Sequence, residues 1–282
     1  MPEPLAAKPK NASKADFSTL GGFFLAVGGI AGGLVMEGGR LQDVAQITAA
    51  MIVLGGTIGA VMIATPLPVL VRAVKQLGNV LFSSPVSVSG KIEEIVEFAT
   101  EARRKGILSL EWQAPNVPDP FLRKALYLAV DGVGPAGIRD TLELEIGLFE
   151  QNADAEARVF EAAGGYAPTI GIIGAVMGLI QVMKNLANLD EVGRGIAVAF
   201  VATIYGVAAA NIFFLPAAAK LRARAHDLVR IRELTLEGIL GIAEGVDHRL
   251  IRVKLEAFLD HKSLQRAGKR STVAGEPAAA EG

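Results

Sequence analysis

The 282-residue chain has no recognisable constellation of catalytic side chains. The chain contains no cysteine, which excludes disulfides and thiolate metal sites. The histidines His226, His248 and His261 do not have the spacing of a metal site, and we expect them to be solvated. Thr203 differs, because it lies in the middle of an apolar stretch. Its hydroxyl can bond a carbonyl of its own helix or face a wet pathway, and the first arrangement is commoner for an isolated threonine.

Long apolar stretches must position Thr203 and its neighbours. The chain is 51% hydrophobic with a mean hydropathy of +0.40, and its charge-free intervals are residues 17–36, 44–71, 162–183 and 195–219. A helix needs about 20 apolar residues to cross a hydrocarbon core of roughly 30 Å. We therefore predict an all-α membrane protein with four transmembrane helices at residues 17–36, 44–66, 162–183 and 195–217.

The basic residues predict the topology. Of the 28 Lys and Arg residues, 25 lie in the N-terminal tail, the middle segment and the C-terminal segment. Lys and Arg are enriched in cytoplasmic loops of membrane proteins. We therefore predict that both termini are cytoplasmic, that residues 1–16, 67–161 and 218–261 lie in the cytoplasm, and that residues 262–282 are disordered.

The cytoplasmic segments read as helices. "SGKIEEIVEFATEARRKGILSLEW" has apolar residues close to a 3.6-residue period, with Ser89 as the predicted N-cap and Gly106 as an interruption. The proline-rich "APNVPDP" predicts a turn, followed by a helix from about Pro120. A later helix leads into the third span and can be continuous with it. The charged faces fit either a solvated surface or a docking surface for a partner.

No predicted span has Asp, Glu, Lys, Arg or His near its centre. Proteins that move protons through a membrane use an ionisable group inside it. The chain is therefore either structural, or it depends on a partner helix that supplies a carboxylate. The net charge of −1 argues against nucleic-acid binding. We find no catalytic constellation and no nucleotide-binding loop, so we do not expect an enzyme or a cofactor.

Small residues follow one face of the third predicted span. They are Gly171, Gly174 and Gly178, with Ala175 alongside. Such residues let helix backbones approach closely in lipid, where hydrophobicity does not drive association. This face can pack on the chain's own helices, on another copy of the chain or on a partner.

Several stretches together resemble the MotA/TolQ/ExbB superfamily. Its last two spans are matched by "GGYAPTIGIIGAVMGLIQVMKNL" and "GRGIAVAFVATIYGVAAANIFFLPAAAKL". The MotA/PomA flagellar stator branch is matched by "VLGGTIGAVMIATP", "EARRKGILSLE", "DPFLRKALYLAVDGVGPAGIRDTLELEI" and "LEGILGIAEG". The resemblance covers nearly all of residues 17–261. The alternative within the superfamily is an ExbB/TolQ-like energiser of an envelope partner, although those proteins have three spans and lack this loop.

The resemblance implies a mechanism and a location in the bacterial inner membrane. MotA-like subunits form a ring, understood as a pentamer, around two copies of a single-span, peptidoglycan-binding MotB-like partner. The partner supplies the membrane aspartate that binds the ion. Ion flow turns the ring, and its cytoplasmic loops push the rotor protein FliG.

The resemblance also assigns roles within the spans. Pro168 and Pro216 match the prolines on either side of the ion path, where bends can couple ion binding to the cytoplasmic part. Their alternative roles are a simple helix start and a simple helix end. Thr203 matches a threonine facing the partner aspartate. Ala175 stands where sodium-type members tend to carry Thr, and a methyl group cannot ligate Na⁺. We therefore expect proton coupling.

In the loop, Arg103 and Glu111 match the charged residues that engage the rotor, and Arg104 and Lys105 extend the basic patch. The C-terminal segment departs from the family: it reads "AEGVDHRLIRVKLEAFL" where many members have a Gly-Glu-Asn-Pro turn.

Overall fold

Helices make up all the regular structure of the computed structural model, which describes residues 17–82 and 87–259. The α-helices are α1 (Phe17–Met36), α2 (Leu41–Val44), α3 (Ile47–Ala50), α4 (Gly56–Ala64), α5 (Leu67–Phe82), α6 (Val88–Lys105), α7 (Pro120–Val130), α8 (Pro135–Lys184), α9 (Leu189–Ala208), α10 (Leu215–Ala243) and α11 (His248–Glu256). The π-helical segments Met51–Gly55 and Ala209–Phe214 join α3 to α4 and α9 to α10, and 3-10 helices occupy Ile107–Trp112 and Ala114–Asn116. The predicted all-α class is confirmed. His261 and the two predicted tails, residues 1–16 and 262–282, lie outside the described residues.

Four stretches of this structure are long and apolar enough to cross a membrane. They are Thr19–Met36, Ile47–Ala64, Pro135–Lys184 and Leu189–Ala243. The last two continue well past the predicted spans, as helices of 50 and 55 residues, because no turn interrupts them. The second begins at Ile47 rather than residue 44, because the backbone leaves the helical region at Ala45 and Gln46.

The described residues divide into two compact units. The first consists of residues 17–82 and 152–225 and contains the four predicted transmembrane spans; the second consists of residues 87–151 and 226–259. The second unit is built around a hydrophobic core to which α6, α7, α8, α10 and α11 all contribute. Its fully buried side chains include Ile95, Leu122, Leu126, Ile138, Leu234, Leu240 and Leu255.

The N-terminus of α6 corrects one sequence expectation. Ser87, not Ser89, is the N-cap, and its hydroxyl accepts a hydrogen bond from the Gly90 N–H at 3.2 Å. Ser89 already lies inside the helix. The Ser87 hydroxyl meets the N3 amide, which is the geometry of a helix cap.

A buried ion pair ties α6 to α7. Lys91 is only 7% exposed, and its Nζ lies 2.8 Å from Asp119 Oδ2 and 3.0 Å from Glu94 Oε2. Burial opposes the charged forms of Lys91 and Asp119, but their hydrogen bond and mutual attraction outweigh it, so the pKa of Lys91 is raised and that of Asp119 is lowered. Asp119 is also the N-cap of α7, accepting from the Phe121 N–H at 3.0 Å. One carboxylate therefore starts a helix and neutralises a buried cation.

Two substitutions of Asp119 should separate these two roles. Asp119→Asn keeps a capping oxygen and leaves Lys91 without its full counter-charge, whereas Asp119→Ala also removes the cap, which is worth about 1 kcal/mol. We expect both to destabilise the second unit by about 2–4 kcal/mol through the buried cation, with Ala the more harmful. Thermal unfolding of the detergent-solubilised chain measures this. Equal melting temperatures for wild type and Asp119→Asn would contradict the importance of the pair.

The same pair predicts a pH dependence. The folded pKa of Asp119 lies below its unfolded value of about 3.9, so its stabilising contribution is present above that pH and is lost as the pH falls through the folded pKa. The raised pKa of Lys91 makes its contribution disappear only as the pH rises through that value, above 10.5. Melting temperatures recorded from pH 2 to 7 should fall more steeply with acid for wild type than for Asp119→Asn.

Candidate functional site

The third and fourth apolar stretches meet backbone to backbone. A Cβ atom added to Gly178 of α8 would lie 2.7 Å from the Gly195 carbonyl oxygen and 2.8 Å from the Ala199 nitrogen of α9. One added to Gly171 would lie 2.9 Å from the Ala202 carbonyl oxygen. Distances this short leave no room for a methyl group. The glycine face of α8 thus packs on the chain's own α9, one of the three alternatives that the sequence allowed.

Further small residues extend this α8–α9 seam, which we define by Gly171, Gly174 and Gly178 of α8 and the α9 residues opposite them. A Cβ on Gly174 would lie 2.8 Å from the Ala202 Cβ and 3.3 Å from the Ile52 Cγ2 of the second span. A Cβ on Gly206 would lie 2.5 Å from the Ala167 carbonyl oxygen. Gly195 and Gly206 were not among the predicted packing residues, although both are small residues in an apolar stretch, as the seam requires.

Thr203 lies at the edge of this seam. Its Cα is 3.5 Å from where a Cβ of Gly171 would stand, its side chain is half-buried, and its hydroxyl donates to the Ala199 carbonyl at 3.3 Å. This is the local arrangement that is common for membrane threonines. Ala175 is also half-buried. The roles of Thr203 and Ala175 in an ion pathway remain predictions.

Both prolines lie inside continuous helices, so the simple helix-start and helix-end alternatives are wrong. Pro168 lies deep within α8. Pro216 is the second residue of α10 and directly follows the π-helical segment Ala209–Phe214. A proline inside a helix cannot donate to the carbonyl four residues earlier, and its ring presses on that group. π-helical segments within α-helices are frequent at functional sites. The coupling role of the two prolines remains a prediction.

Tyr205 makes a contact that the sequence did not reveal. Its hydroxyl donates to the Val44 carbonyl at 2.5 Å and accepts from the Gln46 N–H at 3.2 Å. These are backbone groups at the break between α2 and α3. Irregular backbone at membrane depth is tolerated only where the protein or water satisfies its polar groups. The Gln46 N–H also donates to the Val44 carbonyl at 3.1 Å, so Tyr205 adds a second partner to each group and ties α9 to the break.

Arg222 links α8 to α10 in the same unit. Its guanidinium contacts both carboxylate oxygens of Glu161, at 2.5 and 2.9 Å, and Asp154 Oδ1 at 3.2 Å. A planar guanidinium suits such two-pronged contacts. Glu161 precedes Pro168 by two helical turns, and Arg222 follows Pro216. These contacts, which we call the Arg222 clamp, join α8 at positions before Pro168 to α10 at a position after Pro216.

The predicted rotor-contact residues lie in the second unit. Arg103, Arg104 and Lys105 form the last turn of α6, which ends because Gly106 has a φ of +84°, a conformation that favours glycine. Glu111 lies on the following 3-10 helix, Ile107–Trp112. All four predicted residues are exposed. The structure thus brings them to one end of one helix and the turn after it.

Two of these four residues form ion pairs with other described residues of the chain and two do not. Arg103 Nη1 lies 3.1 Å from Asp247 Oδ2, and Lys105 Nζ lies 3.0 Å from Glu101 Oε1. Within residues 17–82 and 87–259, no ion pair is found for Arg104 or Glu111. Those two side chains are therefore the ones ready to meet a partner's charges without first leaving another group.

Large apolar side chains are exposed beside these charges. Trp112, the only tryptophan of the chain, is 84% exposed, and Leu108 is 64% exposed. Tryptophan and arginine are enriched among the residues that dominate protein interfaces. Neither apolar residue was among the predicted rotor-contact residues.

The chain was also compared with known proteins. The family model "MotA/TolQ/ExbB proton channel family" matches residues 113–234, and "Motility protein A N-terminal" matches residues 20–105. The chain is 38% identical to motility protein A of Bacillus subtilis over 251 residues, which are 88% of this chain and 92% of the relative. The solved structure of C. jejuni MotAB matches 87% of this chain and 96% of its own with a TM-score of 0.84 and 35% identity. The flagellar MotAB stator complex from Bacillus subtilis matches 89% and 99% with a TM-score of 0.82 and 36% identity.

The chain therefore belongs to the MotA/TolQ/ExbB proton channel family, and to its flagellar motility protein A branch. The match to the motility protein A N-terminal model selects this branch. The resemblance found in the sequence is confirmed, and so is the predicted function of a flagellar motor stator subunit. The four apolar helices and the relatives make it a multi-pass inner-membrane protein. Among the described residues, no group of three or more His, Cys, Asp or Glu side chains could hold a metal ion.

The α8–α9 seam predicts an asymmetry between two glycines of one helix. Gly178→Ala should destabilise the chain by about 1–3 kcal/mol, because its methyl group would press on backbone atoms that cannot move aside. Gly165→Ala is the matched control, since a Cβ there meets nothing within 4 Å. Thermal unfolding of each variant, expressed alone and solubilised in detergent, tests this. Equal melting temperatures for the two variants would show that the seam is not closely packed.

Proposed function

We propose that this chain assembles as a ring, expected to have five copies, around a single-span MotB-like partner, and that the ring turns as protons cross the inner membrane. The observation that carries this proposal is the seam itself. The helices α8 and α9 pack through small residues along the seam, and the predicted spans carry no ionisable group near their centres. The titratable group needed for proton movement therefore comes from the partner, in agreement with the MotAB assembly of the similar structures.

The proposed ion is H⁺ rather than Na⁺. Ala175 has no side-chain oxygen to ligate a metal cation, which leaves the Thr203 hydroxyl as the one side-chain oxygen among the two predicted ion-pathway residues. Sodium binding in a membrane needs several oxygen ligands, whereas a proton needs only the partner's carboxylate and water. Pro168 and Pro216 then transmit the change at that carboxylate. The Arg222 clamp makes the helices on which they lie move together.

The proposed output is force on the rotor protein FliG. The exposed end of α6 and the 3-10 helix after it present Arg104, Glu111, Leu108 and Trp112 together. This combination of two unpaired charges and two apolar side chains suits a protein partner. Both termini are proposed to be cytoplasmic, in keeping with the distribution of Lys and Arg.

The ion assignment can be tested by swimming. We expect the chain, produced with its MotB-like partner in a bacterium lacking its own stator genes, to support swimming in sodium-free medium. A protonophore should stop that swimming, because it removes the proton gradient. Swimming that requires added sodium would overturn the ion assignment. A failure to swim in either medium, with the complex intact in the membrane, would overturn the proposed function.

The rotor contact predicts a difference between two substitutions of one arginine. Arg104→Glu should slow swimming more than Arg104→Ala, because it replaces an exposed cation, which has no ion pair among the described residues, by an anion instead of only removing the charge. Each exposed ion pair is worth about 0–1 kcal/mol, so neutral substitutions should slow rotation only partly. Rotation speeds of tethered cells measure both effects. A normal speed for Arg104→Glu would remove that residue from the contact.

A further inference from the structure

A hollow with a volume of about 250 Å³ lies between α6 and the turn that precedes α11. Its walls are mainly apolar and its rim carries one charge, on Arg103; the other lining residues are Ala99, Ala102, Ile107, Ile242, Ala243, Gly245 and Val246. An apolar cavity of about 150 Å³ is enough to hold a benzene molecule. The hollow therefore has room for one large apolar side chain.

Asp247 holds the cation at the rim of this hollow. Its Oδ2 lies 3.1 Å from Arg103 Nη1, and its Oδ1 accepts from the Arg249 N–H at 2.8 Å as the N-cap of α11. The hydrogen bond from Arg249, followed by the charge of Arg103, keeps the pKa of Asp247 below its ordinary value. The Asp247 carboxylate thus occupies a side of the Arg103 guanidinium that could otherwise bind a carboxylate of another protein.

We propose that this hollow is a docking site on the proposed rotor-contact surface. Its occupant is an apolar side chain of the rotor protein with a carboxylate next to it in the sequence. The apolar group enters between Ala102 and Val246, and the carboxylate takes Arg103 from Asp247. Charge complementarity selects this occupant, since the walls are uncharged and the rim continues into the basic turn at Arg104 and Lys105. The inference rests on the proposed function, because it names the chemistry that the rotor must present.

The exchange of partners at Arg103 gives Asp247 a distinct role. The two side chains are 53% and 41% exposed, so their pair is weak and water can enter between them. An incoming carboxylate can therefore replace Asp247 at little cost. Before that happens, Asp247 keeps Arg103 at the rim of the hollow and lowers its attraction for other anions.

Filling the hollow tests the apolar half of the site. In the intact complex with its MotB-like partner, Ala102→Leu should weaken binding of purified rotor protein at least about tenfold, because the added side chain takes the space of the rotor's apolar group. Ala136→Leu is the matched control, since Ala136 is an exposed alanine of the same unit that does not line the hollow. Binding is measured by biolayer interferometry on complexes whose melting temperatures match that of the wild type.

Asp247→Asn tests the charged half of the docking site. This test is independent of whether the Ala102→Leu variant folds. Asparagine caps a helix as well as aspartate does, so α11 is kept while the counter-charge on Arg103 is removed. We expect rotor protein to bind about twofold to fivefold more tightly, by the free energy of one exposed ion pair. Asp131→Asn is the control, because it makes the same change of charge elsewhere in the second unit. The gain should vanish when Arg103→Ala is added.

The outcomes distinguish this inference from the function on which it rests. Wild-type complex that binds rotor protein, together with unchanged binding by Ala102→Leu, would overturn the docking site alone. Unchanged or weaker binding by Asp247→Asn would overturn the exchange at Arg103. A wild-type complex that does not bind rotor protein would overturn both the docking site and the proposed output of the motor.

Discussion

Close approach of two helix backbones is the constraint on which the membrane part of this protein depends. In lipid, apolar side chains gain nothing by leaving the solvent, so helices associate through van der Waals contact and hydrogen bonds. Gly178 meets Gly195 and Ala199 at distances that exclude even a methyl group. Such a seam is closely packed. It holds α8 and α9 together along their lengths.

Several polar groups beside this seam have partners within the chain. Thr203 donates its hydroxyl to a carbonyl of its own helix, and Tyr205 bonds both backbone groups at the break before α3. Arg222 of α10 contacts Glu161 and Asp154 of α8, although all three side chains are partly exposed. These contacts hold α9 to the break before α3 and α8 to α10.

The sequence predicted what depends on local pattern and missed what depends on distant partners. Charge-free intervals identified all four apolar helices, because the bilayer fixes their length and composition. The glycines of α8 predicted close packing but not its partner, since a small-residue face suits any helix. The contact of Arg103 with Asp247 joins positions far apart in the chain, and no local pattern encodes it. The wrong prediction of Ser89 as the N-cap of α6 has another cause. Ser87 and Ser89 are two residues apart, and only the hydrogen-bond geometry shows that Ser87 is the cap.

The π-helical segment before Pro216 has a consequence for rotational phase. A π turn takes up one residue more than an α turn, so every side chain after it is rotated by about 100° relative to an uninterrupted α-helix. Arg222 follows this segment and contacts Glu161, so the direction of its side chain includes that offset. Deleting one residue from the segment would turn the Arg222 side chain about 100° away from its present direction if the helix before the segment stayed in place.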